Sequence, residues 1–379
     1  MWKLTEEQAE IVENQENAKI NAVAGSGKTS TLIQYAMARP RYASILYLAF
    51  NQSVKKEAER KFAKMGLSNV RIETAHSLAF SQIVRGSKFQ LKKEGSYKLH
   101  EVKDILKLKR IGREANSEYI LANHIQKFAH YFCNQTAQKV QEVNYLDIIE
   151  AGEARDFVEK HYEKIEMGVR EWLAKMNKGE IELTHEFYLK KFQLLRPHLQ
   201  YDFILFDEGQ DASPVMLDVF LAQEQAKKII VGDTHQQIYG WRHAINALEQ
   251  VDFQNFNLSS SFRFNSNIAL LANHYLAWKD HFGKQPSLQI KGVGNHKKIE
   301  SRATLARTNL FLLKKAIDWV TKNHLESLYF EGNIHSYTYA GEGASIWDVL
   351  HLYNGKTNLV RDSLLKTMDS MEELKEYCG

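Results

Sequence analysis

The sequence has little of what a secreted or membrane-inserted protein would contain. It holds only two cysteines in 379 residues, Cys133 and Cys378. Their separation fits neither a disulfide framework nor a metal-binding spacing, and a reducing cytoplasm is therefore the expected location. No apolar run approaches the roughly 18 residues of a membrane span. The N-terminus is polar and unlike a secretory signal, so no membrane partner is expected.

The chain also lacks a strong excess of either charge. Lys and Arg number 50 against 46 Asp and Glu, a net charge of +4, which neither requires nor excludes a nucleic-acid partner. There is no internal repeat and no low-complexity linker. The hydrophobic fraction of 44% and the charged fraction of 25% are ordinary for a globular protein. The length predicts roughly two to three domains.

The most informative pattern that is present is a glycine-rich run near the N-terminus. Ala22-Val23-Ala24-Gly25-Ser26-Gly27-Lys28-Thr29 follows an apolar segment and opens a helical one. In a loop of this kind, backbone N–H groups surround the β-phosphate of a nucleotide. Lys28 would reach the β/γ oxygens, and the Thr29 hydroxyl would ligate Mg²⁺. The run therefore predicts a nucleoside triphosphate site, with ATP and Mg²⁺ as the expected ligands.

Adjacent carboxylates follow an apolar strand pattern in the middle of the chain. The segment Phe203 to Phe206 leads directly into Asp207 and Glu208. Asp207 is placed to hold the Mg²⁺ shell, and Glu208 to orient and deprotonate water for attack on the γ-phosphate. An isolated Asp-Glu pair can also be a solvated turn. Together with the phosphate loop, it favours ATP hydrolysis over phosphoryl transfer to another acceptor.

A third polar segment follows the strand pattern from Lys228 to Val231. The Gln236 amide can hydrogen-bond a γ-phosphate or its attacking water. Tyr239 and Trp241 offer flat rings on which the bases of a single strand could stack. The alternative for these two aromatic residues is ordinary packing in a core.

The order of helix and strand patterns predicts an α/β fold. Residues 1–80 alternate between the two patterns, which is typical of a parallel sheet flanked by helices. Strand signals stop between about Ser81 and Leu199, where helical periodicity predicts an inserted helical subdomain. Strand patterns at Val251 to Leu258, Ala303 to Ala306 and Ser327 to Gly332 indicate the start of a second α/β unit.

In the content and order of these motifs, the chain resembles the UvrD/Rep-type superfamily 1 DNA helicases, especially the F-box DNA helicase branch. The run Ala22 to Thr29 resembles motif I of that family, Asp207 to Asp211 resembles motif II, and Gly232 to Arg242 resembles motif III. Leu4 to Gln8 resembles the Q motif. The resemblance implies that Gln8 contacts the purine of ATP.

The remaining motifs of the resemblance supply further candidate contacts. Leu258 to Asn267 resembles motif IV, in which Phe262 would pack on adenine and Arg263 would reach the γ-phosphate. Leu48 to Asn51 and Thr74 to Leu78 resemble motifs Ia and Ib, which contact single-stranded DNA. The candidates there are Phe50, Asn51, Thr74 and His76. Arg307 to Asn309 resembles the next short motif.

The resemblance implies a RecA-like P-loop NTPase fold. Domain 1A would comprise residues 1–80 and 200–250, and the helical insertion 1B would comprise 81–199. Residues 251–379 would form a partial second RecA-like domain, 2A, and the start of 2B. The implied activity is ATP-dependent translocation or unwinding on single-stranded or tailed duplex DNA, with 3′ to 5′ polarity.

Two features leave alternatives open. No segment after Gly332 resembles motif V or VI, so we expect a weak ATPase that is incomplete as a stand-alone motor, for which a second polypeptide could supply those motifs. An ATP-gated accessory subunit that binds single-stranded DNA without unwinding is the alternative function. Between Lys88 and Arg113, nine Lys or Arg face three Asp or Glu. This stripe could meet DNA phosphates or form a solvated helix face.

Overall fold

The computed structural model of the chain describes residues 3–93, 95–112, 116–238, 240, 244–282, 288–295, 303–323, 329–330 and 345–378. The chain divides into two compact units, each assembled from segments that are separate in sequence. The first unit comprises Met1–Leu91, His130–Lys139 and His185–Lys297. The second comprises Lys92–Ala129, Val140–Thr184 and Lys298–Gly379.

The strands lie in the first unit. They are β1 (Ala18–Ala22), β2 (Ile45–Ala49), β3 (Val70–Thr74), β4 (Phe203–Phe206), β5 (Lys227–Gly232), β6 (Gln254–Leu258), β7 (Ser260–Ser261) and β8 (Lys291–Gly292). The first six form one sheet in the order β3-β2-β4-β5-β1-β6, and every neighbouring pair in it is parallel. The short strands β7 and β8 pair separately, also in parallel.

The α-helices are distributed over both units. In chain order they are α1 (Glu6–Glu13), α2 (Lys28–Met37), α3 (Gln52–Lys64), α4 (Ala75–Ile83), α5 (Leu99–Ile105), α6 (Ser117–Asn134), α7 (Glu153–Lys178), α8 (His185–Leu195), α9 (Pro214–Leu221), α10 (Ala247–Gln250), α11 (Ser266–His281), α12 (Asn309–Asn323), α13 (Ile346–Tyr353) and α14 (Met371–Cys378).

The sequences of the central strands explain why the sheet is parallel and covered on both faces. All five residues of β2 are buried, and β5 is buried from its second residue onward. Such continuous apolar runs are typical of parallel strands with helices on both sides. Side chains of three helices complete the core around them, including Ile11 of α1, Leu32 of α2 and Phe62 of α3. The predicted α/β class, a parallel sheet flanked by helices, is confirmed.

One edge of the sheet collects the polar segments. Because the six strands run in the same direction, their carboxyl ends meet at a single edge, which is where ligands of open α/β sheets bind. The residues at or just beyond these ends include Gly25, Asn51, Thr74, Asp207, Asp233 and Ser259. Motifs that are far apart in sequence therefore lie along one edge.

Two strand predictions after residue 250 turn out differently. The segment that we assigned to a second α/β unit forms β6, which pairs with β1 of the main sheet from Ala18↔Gln254 to Ala22↔Leu258. The strand predicted at Ala303 to Ala306 is wrong, because these residues are not in a strand. Leu305 is 90% exposed, so its apolar character is not used in a buried sheet. Most of the predicted strand from 327 to 332 lies outside the described residues.

The described part of the second unit is helical. Gly168 of α7 lies so close to α6 that a Cβ there would be 2.4 Å from Ile125 Cδ1. The rings of Phe128 and Tyr145 stack at 4.8 Å beside this helix pair. A smaller apolar cluster joins α13 to the segments that follow it, through Leu352, Val360, Leu365 and Met368. None of the described helices has both the length and the apolar character needed to span a membrane.

Candidate functional site

The glycine-rich run forms a tight loop between β1 and α2. Gly25 and Gly27 have φ of 74° and 83°, the left-handed region that favours glycine. A Cβ on Gly25 would lie 2.5 Å from the Arg263 Cβ, so the loop has no room for one. Ser26 is buried, and its hydroxyl has no hydrogen-bond partner among the residues that the structure describes. The loop leads into the N-terminus of α2, where unpaired backbone N–H groups favour an anion such as phosphate.

Gln8 of the predicted Q motif lies against this loop. Its side-chain oxygen accepts from the Thr5 backbone N–H at 3.1 Å, which is half of a capping box at the start of α1. Its amide nitrogen donates to Thr31 Oγ1 at 3.2 Å. The side-chain oxygen and nitrogen of Gln8, the predicted purine contact, are thus both hydrogen-bonded within the protein. They fix α1 against the first turns of α2.

Asp207 and Glu208 follow β4 directly, as expected from the sequence. Asp207 is buried, and its Oδ1 accepts from the Glu208 backbone N–H at 2.9 Å. Its Oδ2 accepts from Thr29 Oγ1 at 3.3 Å and also from the Tyr47 hydroxyl of β2. Glu208 has φ of 56°, a left-handed conformation that is strained for a residue with a side chain. Strained backbone of this kind clusters at functional sites.

The electrostatics around Asp207 favour a cation. Burial raises the pKa of Asp207 to about 6, and the neighbouring charge of Glu208 adds to the rise. Lys28 opposes it, and its Nζ lies 3.7 Å from Glu208 Oε2. A divalent cation at this carboxylate would stabilise its charged form. The hydroxyl of Thr29 and the carboxylate of Asp207 are the oxygen ligands that Mg²⁺ prefers, so the residues present fit the metal.

Gln210 connects motif II to motif III, a role that the sequence did not suggest. It is buried at 2% exposure, and its Nε2 donates to Glu208 Oε2 at 2.9 Å. Its Oε1 accepts from the Asp233 backbone N–H at 3.0 Å, just after β5. A Cβ on Gly232 would lie 2.4 Å from this Oε1. The side chain therefore joins the end of β5 to the Glu208 carboxylate.

Gln236 lies at the end of β5 but is exposed. Its amide donates to the Asp233 carboxylate, and its backbone N–H bonds Asp233 O at 2.9 Å. The predicted γ-phosphate contact is thus held in a turn by a neighbouring carboxylate. Tyr239 and Trp241, the predicted base-stacking residues, lie outside the described residues.

The predicted motif IV segment lies directly on the glycine-rich loop. Ser261 Oγ donates to Ala24 O at 2.7 Å, and the Phe262 backbone N–H donates to Gly25 O at 2.9 Å. The Phe262 ring is 52% exposed, and Arg263 is also exposed. Loop carbonyls therefore place this aromatic residue and this arginine beside the glycine-rich loop.

Glu7 fixes the same segment from α1, and sequence reasoning did not single it out. Its carboxylate accepts from the Ser259 backbone N–H at 2.8 Å and from the Ser259 hydroxyl at 2.6 Å. The two bonds tie α1 to the end of β6. They hold the start of the segment that continues into Phe262 and Arg263.

The candidate DNA contacts at the ends of β2 and β3 have local structural roles. Asn51 is the N-cap of α3 and accepts from the Val54 backbone N–H at 2.9 Å. Thr74 is the N-cap of α4 and accepts from the Ser77 backbone N–H at 3.0 Å. Phe50 is half-buried. These residues share the carboxyl edge of the sheet with the glycine-rich loop.

His76 is the second residue of α4 and lies among other rings. Its ring centroid is 6.0 Å from that of Tyr188 and 6.5 Å from that of His185. Burial holds the pKa of His76 below its usual value, and the nearby charge of His185 acts in the same direction against an opposing effect of Glu186. His76 is therefore neutral at pH 7 in this structure.

The second unit contains the basic stripe from Lys92 onward and the short motif at 307–309. In the basic stripe, Lys92 is paired with Glu101 at 2.6 Å and with Glu182 at 3.6 Å, whereas Lys107 and Lys109 are exposed. Arg113 lies outside the described residues. In the short motif at 307–309, Thr308 Oγ1 accepts from the Phe311 backbone N–H at 3.2 Å, which caps α12.

Comparison with known proteins identifies the family of this chain. Residues 4–255 match the UvrD/REP helicase N-terminal domain, a range that contains β1 to β5 and ends within β6. The chain belongs to the UvrD/REP helicase family. Among its relatives in this family is F-box DNA helicase protein 1 of Schizosaccharomyces pombe, 31% identical over 319 residues, which are 77% of this chain and 34% of that protein.

Two further UvrD/REP relatives extend the comparison. F-box DNA helicase 1 of Gallus gallus is 33% identical over 283 residues, covering 70% of this chain and 27% of that protein. DNA helicase II of Escherichia coli is 27% identical over 294 residues, covering 68% of this chain and 38% of that protein. The chain thus spans about a third of the length of these relatives.

Proposed function

We propose that this chain is the ATP-hydrolysing part of a DNA helicase that binds single-stranded DNA and moves along it from 3′ to 5′. The observation that carries the proposal is the meeting of Lys28, Thr29, Asp207 and Glu208 at one sheet edge. Asp207 accepts from Thr29 at 3.3 Å, and Glu208 lies 3.7 Å from Lys28. This set supplies charge neutralisation, metal ligands and a base within one short span.

In the proposed reaction, the loop from Ala22 to Thr29 binds the phosphates of ATP through its backbone N–H groups, and Lys28 neutralises the β/γ oxygens. Thr29 and Asp207 would hold Mg²⁺, which supplies further neutralisation of phosphate charge. Glu208 orients a water molecule and accepts its proton as the water oxygen attacks the γ-phosphorus, and the bond from that phosphorus to the β,γ-bridging oxygen breaks to release ADP. The Gln210 bond at 2.9 Å keeps the Glu208 carboxylate in one orientation.

The motif IV segment completes the proposed nucleotide site. The exposed ring of Phe262 is available to stack on adenine, and Arg263 to reach the γ-phosphate. Gln8 is proposed as the purine contact, which would require its amide to exchange the bond to Thr31 for one to the base. Gln236 is proposed to sense the γ-phosphate from the end of β5.

The DNA-binding part of the proposal rests on the family and on the sheet edge. The UvrD/REP relatives are named as DNA helicases. Single-stranded DNA is proposed to cross the ends of β2, β3 and β5, with Phe50, Tyr239 and Trp241 stacking on bases. Base stacking tolerates any sequence and contributes ~1–3 kcal/mol per base. Asn51, Thr74 and His76 are the proposed polar contacts.

Two substitutions in the nucleotide site test the proposal by separating its roles. Lys28→Ala should abolish binding of a fluorescent ATP analogue, because the β/γ charge is left unneutralised. Glu208→Gln should retain the analogue and lower turnover by about 10²–10⁴-fold, because the base is lost while the metal ligand remains. Equal losses of affinity in both variants would contradict the assigned roles.

A tailed-duplex assay tests the coupling to DNA. Strand displacement that requires ATP and a 3′ tail supports a helicase with the proposed polarity. ATP-dependent binding of the single strand without displacement, even after a polypeptide that carries motifs V and VI is added, would favour the accessory-subunit alternative. ATP turnover that single-stranded DNA does not change, together with no binding of the oligonucleotide, would remove DNA from the proposal.

A further inference from the structure

Tyr47 is a buried residue of β2, and no role in binding ATP, Mg²⁺ or DNA has been assigned to it above. It has no exposed surface, and its ring packs edge-on against Phe62 at a centroid distance of 5.1 Å. Strand β2 is paired with β4 on one side and β3 on the other, with Tyr47 opposite Leu205 and Ile72. The ring is therefore held by core packing and by two neighbouring strands.

The hydroxyl of this fixed ring donates to the Oδ2 of Asp207, two positions beyond Leu205 along the neighbouring strand. Burying a hydroxyl without a partner is unfavourable, so the phenol group at this position needs an acceptor that packing alone does not require. A phenylalanine would fill the same space. The contribution that distinguishes tyrosine from phenylalanine at this position is thus the hydrogen bond to the Asp207 carboxylate.

All the polar contacts of Asp207 together fix its orientation. Oδ1 accepts from the Glu208 backbone N–H at 2.9 Å, and Oδ2 accepts from Thr29 Oγ1 at 3.3 Å as well as from Tyr47. The Glu208 N–H adjoins the carboxylate in sequence, whereas Tyr47 reaches it from another strand. Among the residues that the structure describes, removal of Tyr47 leaves Oδ2 with one side-chain hydrogen bond, the one from Thr29.

We propose that Tyr47 is a positioning residue. It holds the Asp207 carboxylate turned toward Thr29, so that Thr29 Oγ1 and the Asp207 carboxylate are both oriented to bind a divalent cation. This inference rests on the proposed function, in which Thr29 and Asp207 hold Mg²⁺. Partners that orient metal ligands typically change metal affinity by about 10–100-fold when they are removed. Tyr47 acts through Asp207 and is not expected to touch the nucleotide.

Tyr47→Phe is the direct test, because it removes the hydroxyl and keeps the ring. Binding of fluorescent ADP is measured as Mg²⁺ is added, and again in EDTA. We expect the Mg²⁺ concentration at half-saturation to rise about 10–100-fold, while ADP affinity in EDTA is unchanged. Unchanged Mg²⁺ dependence, or an equal loss of affinity in EDTA, would overturn the proposal.

Tyr35→Phe provides a matched control in the same unit. Tyr35 is also fully buried, but its hydroxyl has no hydrogen-bond partner in the described part of the chain. It should leave the Mg²⁺ dependence unchanged. A similar rise in both variants would show that losing any buried hydroxyl loosens the site, and the positioning role would be rejected.

A spectroscopic measurement covers the case in which Tyr47→Phe does not fold. Tyr47→3-fluorotyrosine should show a fluorine signal that shifts when Mg²⁺ is added to the ADP complex, whereas Tyr35→3-fluorotyrosine should not. A Tyr47 signal that is indifferent to Mg²⁺ would overturn the proposal. If the unsubstituted chain itself binds no ADP with Mg²⁺, the proposed function fails rather than the role of Tyr47.

Discussion

The carboxyl edge of the sheet has two halves that use polar side chains differently. At the ends of β1, β4 and β5, polar side chains from different strand ends contact one another, as Thr29 does with Asp207 and Lys28 with Glu208. At the ends of β2 and β3, Asn51 and Thr74 instead bond the backbone of the helix that follows each of them. We call these the nucleotide half and the outer half.

The difference indicates where a motif can be interpreted from its residues alone. A bond network between distant segments has no role in local chain geometry, so its presence in the nucleotide half points to chemistry. A helix cap stabilises its own helix whether or not a ligand binds. In the outer half, experiments must therefore separate capping from DNA contact before a functional role is assigned.

The largest effect is expected from Gly25→Ala in the nucleotide half. The added Cβ would meet the Arg263 Cβ at 2.5 Å, at a φ of +74°. Left-handed strain and overpacking together should lower the free energy of unfolding by about 2–4 kcal/mol and displace the loop, which abolishes nucleotide binding. Thermal unfolding and fluorescent ADP binding measure the two effects.

Gly66→Ala is the control for that substitution. Gly66 has a φ of +68°, but nothing lies within 4 Å of a Cβ built on it. Only the backbone strain applies, so stability should fall by about 1 kcal/mol without loss of nucleotide binding. Equal effects of both substitutions would mean that the close approach of Arg263 to the loop does not exist in solution.

Gln210→Ala should produce the next largest effect. It leaves the buried Asp233 N–H without an acceptor, which should lower the free energy of unfolding by about 1–3 kcal/mol. It also frees the Glu208 carboxylate, so ATP turnover should fall more than nucleotide affinity. Stopped-flow binding and steady-state hydrolysis separate the two.

Gln223→Ala is matched to Gln210→Ala in burial and bonding. Gln223 is also buried, accepts from the Leu199 N–H at 2.8 Å and donates to Pro197 O at 3.1 Å, away from the nucleotide half. It should lower stability by a similar amount and leave turnover per folded molecule unchanged. If turnover falls equally in both variants, Gln210 has no special link to Glu208.

Asn51 allows capping and DNA contact to be separated in the outer half. Asn51→Ala removes the cap and should lower the free energy of unfolding by about 1 kcal/mol. Asn51→Asp keeps a capping oxygen, so stability should be nearly unchanged, but its negative charge should weaken binding of a single-stranded oligonucleotide if a phosphate lies nearby. Full DNA affinity in Asn51→Asp would restrict this residue to a cap.

The smallest effect is expected from protonation of His76. Its pKa in the folded chain is below the usual 6.5, so the unfolded chain binds more protons as the pH falls below that value. Stability is therefore retained above pH 6.5 and declines below it. His76→Gln should reduce this decline, measured as thermal unfolding at pH 7.5 and 5.5.

DNA binding provides a second measurement on the same residue. A neutral His76 supplies no positive charge, so oligonucleotide affinity should be flat between pH 8 and 6.5. A steep rise in affinity over that interval, absent from His76→Gln, would show that DNA binding protonates the ring. His76 would then be a charged DNA contact of the outer half.

The sequence was sufficient for the features that depend on local patterns. The predicted alternation of strands and helices over the first 80 residues is present, with strands at 18–22, 45–49 and 70–74. The glycine-rich run and the Asp207-Glu208 pair are also local, and each lies where the strand-to-loop pattern predicted. Parallel sheets bring such strand ends to one edge, which is why the convergence of the motifs could be foreseen.

What the sequence did not reveal depends on pairing between distant segments. Tyr47 and Asp207 are 160 positions apart, and Glu7 and Ser259 are 252 apart. Nothing in either local pattern points to the other. The same reason explains β6, whose periodicity identified a strand but not its partner β1. At Ala303 to Ala306 the local composition suggested a strand that does not form.

The backbone N–H and C=O groups of the glycine-rich loop have different partners. Its N–H groups are the ones that a phosphate would engage, while the carbonyls of Ala24 and Gly25 are already bonded to Ser261 and to the Phe262 N–H. A peptide unit is planar and rigid, so a rotation that re-aims its N–H also re-aims its C=O. A rotation that turns a loop N–H toward a phosphate would therefore also move a carbonyl that bonds Ser261 or Phe262. Substituting side chains leaves the hydrogen bond between the Gly25 carbonyl and the Phe262 N–H in place. Hydrogen exchange of the Phe262 amide would instead report movement of the loop backbone.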